Sequence, residues 1–166
     1  MEFSIKSLTL FIAILLTGLS AGLFYAWMVS VIPGTQKVAH STYLESMQSI
    51  NRAILNPAFF LIFAGSPLAL ALSTLLLRNA GPPFRMVLAA SIFYLLGTFC
   101  VTIWGNVPLN DALDVLNLAE LSDVEKAEFR KFYEKKWNRL HAVRTVFAVL
   151  AFLCALAGAF ASIKSV

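Results

Sequence analysis

Four stretches of this chain contain no Asp, Glu, Lys or Arg: Ser7 to Gln36, Ala53 to Leu77, Met86 to Asn110 and Thr145 to Ile163. A bilayer hydrocarbon core about 30 Å thick is crossed by roughly 20 apolar helical residues, so each stretch is long enough to cross once. Of the 166 residues, 59% are hydrophobic and 13% charged, and the mean hydropathy is +0.78. A soluble domain of this size has too little interior to hide that much apolar surface. The expected fold is all-α: an integral membrane four-helix bundle, a single domain over residues 1–166, with two polar loops containing short or amphipathic helices on one side of the membrane.

Local signals place the boundaries. The first apolar run continues past Trp27 to Ile32, too long for a cleaved secretory signal, and reads as a retained helix over about 8–32 that stops at Pro33-Gly34. Thr42 and Glu45 have capping-box spacing and predict a loop helix over about 43–55, ended by Asn56-Pro57. The second span is expected over 57–77, with Gly65-Ser66-Pro67 as a kink, and the third over 84–104, broken by Gly105 and Pro108. Ser122 and Glu125 form another capping-box pattern, opening a helix over about 123–139 that leads into a fourth span over 140–163.

With four crossings, the loop after the first span and the loop after the third must emerge on the same side. Glu45, Gln48, Asn51, Asn56, Asn106, Asn110, Trp137, His141 and Arg144 all fall toward that side. One end of the bundle is therefore polar and elaborate, and the other plain. The formal net charge of +4 and pI near 9.3 come without a basic stripe interleaved with aromatics. No nucleic-acid partner is expected, and the excess charge suits lipid headgroups in a membrane, the bacterial inner membrane by expectation.

Several patterns are read first as packing. Gly18 and Gly22 at four-residue spacing, and Ala151, Ala155, Gly158, Ala159 and Ser162 in the fourth span, let helices approach closely, within one chain or in a homo-oligomer. Ser91, Tyr94, Thr98, Thr102 and Asn106 recur at three- and four-residue intervals and predict an inward polar stripe on the third span. Asn106 and Asn110 suit caps as well as a site. Cys100 and Cys154 lie inside spans as small apolar side chains, so no disulfide framework is expected. No metal-ligand spacing, nucleotide loop or c-type haem motif occurs, and no cofactor is predicted, with haem, metal or quinone kept as unrecognised alternatives.

The costly feature is "KKWNRLHAVRTV", in which Trp137, His141 and Arg144 lie on one helical stripe near the start of a span. A cation there must snorkel, find an anion or line an aqueous cavity. A histidine beside it serves as a hydrogen-bonding tie or as a proton acceptor.

The segments "GLFYAWMVSVIPG", "YLESMQSINRAILNPAFF", "GTFCVTIWGNVPLND" and "WNRLHAVRTV" resemble the anthrone oxygenase-like family of small four-helix membrane proteins. The resemblance implies an oxidoreductase chemistry in which a phenolic polycyclic ketone is oxidised to a quinone without an evident metal or flavin. Carried onto this chain, it points to Asn51, Asn56, Asn106, Asn110 and Trp137 around a lipophilic aromatic substrate, with His141 and Arg144 at the reacting centre. By residue chemistry, His141 would take the acidic carbon-bound proton, Arg144 and an asparagine amide would hold the enolate oxygen, and Trp137 would bind the flat ring. The competing readings are a structural or partner-binding protein whose polar end ties two loops together, and a small transporter or quinone-binding subunit.

Overall fold

A computed structural model describes residues 4–163. Among these residues the regular structure is entirely helical: α1 (Ile5–Ala26), π1 (Trp27–Val31), α2 (Ile32–Thr35), α3 (His40–Ala53), α4 (Pro57–Leu76), α5 (Pro82–Ile92), π2 (Phe93–Cys100), π3 (Thr102–Asn106), α6 (Val107–Asp114) and α7 (Asp123–Ile163). Four helical stretches, Ile5–Thr35, Pro57–Leu76, Pro82–Asp114 and Asp123–Ser162, are long and apolar enough to cross a membrane. The bundle closes as a ring: α1 packs on α4 and α7, and α5 on α4 and α7. Phe11, Leu19, Leu61, Leu68, Leu96 and Phe160 point outward, as a lipid-facing surface requires.

Two expected helix stops are not stops. Pro33 follows π1 and Pro108 follows π3, and in each case the helix continues, to Thr35 and to Asp114. In an α-helix a proline ring collides with the carbonyl four residues back. The wider π turn shifts the hydrogen-bond register by one residue, as in the Ile32 N–H to Trp27 carbonyl bond, and so accommodates the ring. The third span therefore extends well past the expected end at Trp104.

Pro67 lies inside α4, where its missing N–H leaves the Phe63 carbonyl without its helical donor. The Tyr94 hydroxyl donates to that carbonyl at 3.3 Å and pairs with the Ser20 hydroxyl at 2.8 Å. One inward tyrosine of the predicted stripe thus stitches three spans together. The stripe as a whole faces inward, with Ser91 paired to Thr74 and Thr98 donating to the Arg144 carbonyl.

Small residues of the fourth span are used within the chain. Ala151 and Ala155 are fully buried in the core shared with α5, and a Cβ on Gly158 would stand 2.8 Å from a Val87 methyl. Gly18 faces Phe152, whereas an added Cβ at Gly22 meets nothing within 4 Å.

α7 spans 41 residues without an internal proline, about 60 Å at 1.5 Å per residue. That is about twice the bilayer core, so its first half stands beyond the hydrocarbon. Its start is the predicted capping box: Ser122 N and Oγ both donate to Glu125 Oε2, and Glu125 N donates to Ser122 Oγ. The similar Thr42 and Glu45 pattern forms no such box. α3 begins instead at His40, with Ala39 in the cap position and no side-chain cap.

Beyond the membrane, α3, α6 and the first half of α7 enclose a second core of Tyr43, Leu44, Met47, Leu113, Tyr133 and Trp137. Buried Arg130 fastens it to the end of the first span. It donates to the carbonyls of Thr35, Gln36 and Val38, pairs with Glu134 at 2.8 Å and lies 4.4 Å above the Tyr43 ring. Burial, with the Glu134 carboxylate adding to it, pushes the Tyr43 phenol up, so it stays protonated beneath that guanidinium. Replacing Arg130 with Ala should destabilise the detergent-solubilised protein by about 3 kcal/mol and expose the 36–39 connection to protease. An unchanged thermal midpoint would show that the loop is held by other contacts.

Candidate active site

Three spacings bring the site residues to one place. On α7, Tyr133, Trp137, His141 and Arg144 follow at intervals of four, four and three residues and so share a face. Against that face stand Phe24 at the end of α1, Trp27 in π1, Thr102 in π3, Asn110 in α6 and Asn51 in α3. The widened π turns, a form often found at functional sites, flank the cleft on two sides. The cleft has a water-accessible volume of about 80 Å³ and is mostly apolar, with Leu55, 65% exposed, at its rim.

His141 is fully buried. Its Nε2 lies 3.0 Å from the Phe24 carbonyl, which can only accept, so Nε2 carries the hydrogen. Its Nδ1 accepts from Arg144 Nη2 at 2.9 Å and Nε at 3.1 Å. The partners therefore select the neutral tautomer with its lone pair on Nδ1. The Trp137 ring lies parallel to the imidazole, with centroids 5.0 Å apart and planes 6° from coplanar.

Arg144 is 8% exposed, and no carboxylate among the described residues pairs with it; the two ion pairs found are Arg52 with Asp114 and Arg130 with Glu134. Among the described residues its charge is met by the His141 lone pair, a 3.4 Å contact from Nη1 to Thr102 Oγ1, and the faces of Phe24 and Trp137 at 4.7 and 5.1 Å. A guanidinium has five N–H donors, and these contacts leave one on each terminal nitrogen uncommitted. Aromatic faces return about 2 kcal/mol or so to a desolvated cation, short of the several kcal/mol that its burial costs. An anionic oxygen placed in the cleft would supply the missing counter-charge.

The predicted asparagines divide. Asn51 and Asn110 line the cleft. Asn56 and Asn106 are not among the residues that line it. Asn56 caps α4, its Oδ1 accepting from Phe59 N and its Nδ2 donating to the Ala53 carbonyl. Asn106 is fully buried beside the site, at the same end of the bundle as Arg144, with Nδ2 donating to the Trp137 carbonyl at 3.3 Å and Oδ1 unpartnered. It forms no side-chain cap on α6.

Phe24, Trp27, Thr102 and Tyr133 also build the site, although none of them was among the residues predicted for it. Thr102 and Tyr133 carried a usable signal, since both lie on stripes that end in predicted site residues. The described residues hold no group of three His, Cys, Asp or Glu side chains that could bind a metal, and both thiols are free.

Residues 52–154 match a family model described as Anthrone oxygenase. That segment includes Thr102, Asn110, Trp137, His141 and Arg144 but not Phe24, Trp27 or Asn51. No curated protein and no solved structure matches the chain.

Proposed function

The chain belongs to the anthrone oxygenase family, and we propose that it oxidises a flat, lipophilic phenolic ketone of the anthrone type to the quinone with dioxygen. The observation that carries this reading is the buried Arg144 guanidinium, which faces an aromatic-walled cleft without an anion of its own. Removing a proton from the methylene of such a ketone moves negative charge onto its oxygen. A preorganised cation in a water-poor site stabilises that enolate far more than the neutral ketone, and this difference accelerates the step.

His141 is the proposed proton acceptor. Its Nδ1 lone pair is engaged by both the Nη2–H and the Nε–H of Arg144, so the guanidinium must turn from Nδ1 toward an incoming ketone oxygen before Nδ1 can take a proton. Electron transfer from the enolate to dioxygen and recombination form a carbon–oxygen bond. The imidazolium returns its proton to the resulting peroxide. Loss of the second proton from the same carbon, with cleavage of the O–O bond, leaves the new carbonyl and water. One methylene and one O2 are consumed, and one carbonyl and one H2O appear.

A volume of about 80 Å³ is below the roughly 300–1,000 Å³ of sites that engulf a drug-sized ligand. The cleft therefore suits the polar edge of a ring system, the remainder resting on the apolar rim near Leu55 and Phe59. Protein in nanodiscs, supplied with an anthrone, should consume one O2 per quinone formed, at a rate well above protein-free nanodiscs. A rate equal to that background would leave the polar end as a structural tie between loops.

A further inference from the structure

We infer that Asn51 and Asn110 form a second polar subsite in the cleft, held in one orientation by Tyr133 and Trp137, that recognises a ring hydroxyl distant from the reacting ketone. The inference rests on the oxygenase reading for its substrate class. Its geometry stands on hydrogen-bond logic alone. An indole N–H can only donate, so the Asn110 atom 2.8 Å from Trp137 Nε1 must be the amide oxygen. The Tyr133 hydroxyl, 3.2 Å from that same oxygen, must direct its hydrogen there. Having donated, this hydroxyl can still accept, and the Asn51 atom 3.2 Å away must be the amide nitrogen. Tyr133 is fully buried, which keeps water from substituting for either partner.

The chain leaves two groups over: the Asn110 amide N–H2 and the Asn51 amide oxygen. Both residues line the cleft, and neither atom is among the buried polar atoms without a partner, so both retain contact with open space. A donor and an acceptor on two residues that line one cleft and share the Tyr133 hydroxyl match a ligand hydroxyl, which accepts from one and donates to the other. A hydrogen or a methyl at that ring position would leave both amides desolvated and unpaired, which is how polar sites reject analogues lacking a hydroxyl. Tyr133 is a positioning residue in this account, acting through the two amides.

The test uses two anthrones that differ by one ring hydroxyl, and the two corresponding quinones as unreactive binding probes read by quenching of tryptophan fluorescence. Wild-type protein should favour the hydroxylated anthrone in kcat/KM, and the hydroxylated quinone in Kd, by about tenfold or more. Asn51→Leu and Tyr133→Phe should shrink that preference to about twofold or less by weakening the hydroxylated member more than the unsubstituted one. Absence of a preference in wild-type protein, or an equal loss for both members in the variants, overturns the subsite. Selective quinone binding without any turnover would retain the subsite and refute the oxygenase reading. Wild-type protein alone decides the first point if a variant fails to fold.

Discussion

Replacing Arg144 with Gln should lower kcat for an anthrone substrate by about 10²- to 10³-fold, the loss seen when one preorganised oxyanion donor is removed. The same change should leave the thermal midpoint in detergent unchanged or raise it. The two expectations have one cause. Arg144 is a buried cation without a carboxylate, and removing such a charge commonly leaves a protein as stable or more so. A glutamine amide retains an N–H donor for the Nδ1 of His141, so the imidazole is not orphaned. A residue present to hold the bundle together would behave in the opposite way, losing stability first and activity as a result. Arg144→Lys separates charge from shape: a point charge without the planar fork should recover part of the rate. Activity of the Gln variant within threefold of wild type would remove the guanidinium from the reaction.

The spans and the gathering of polar residues at one end were legible because they follow from counting. Charge-free length fixes the number of crossings, and parity puts both long loops on one side. The stripe of Trp137, His141 and Arg144 was legible because three- and four-residue spacing on a helix is a local property. Its partners were not. The Phe24 carbonyl lies 117 residues from His141, and no periodicity announces that a backbone oxygen will select a tautomer. The prolines misled for a related reason, because a π turn has no composition signature and Pro33 and Pro108 look like stops until the register shift ahead of them is seen. Two capping-box patterns of equal appearance had different fates. Ser122 starts a helix in free surroundings, whereas the segment before Thr42 is held by Arg130 at the Val38 carbonyl, and α3 begins nearer that anchor. Asn56 had a readable cap signature, an asparagine before a proline at the first helical position, and is a joint outside the cleft.

The glycine that most constrains the bundle is not in the small-residue motif that catches the eye. A Cβ built on Gly97 would lie 2.5 Å from the Cβ of Phe147, and closer still to its ring. A ring can turn away, but the Phe147 Cβ is fixed to the α7 backbone, so α7 itself would have to move away from π2. Gly97→Ala should therefore cost about 3 kcal/mol or more, at the upper end for an overpacked core, and most of the folded protein should be lost on extraction. Adding Phe147→Ala should recover part of the loss by removing the ring, a coupling that separate sites would not show. Gly22→Ala is the opposite case. Nothing lies within 4 Å of its added methyl, and replacing a mid-helix glycine should stabilise by about 0.5–1 kcal/mol. Opposite signs for the two alanines, measured as thermal midpoints in one detergent, would establish that close approach to α7 sets the third span in place. A loss at Gly22 would instead place a second copy of the chain against the open face of α1.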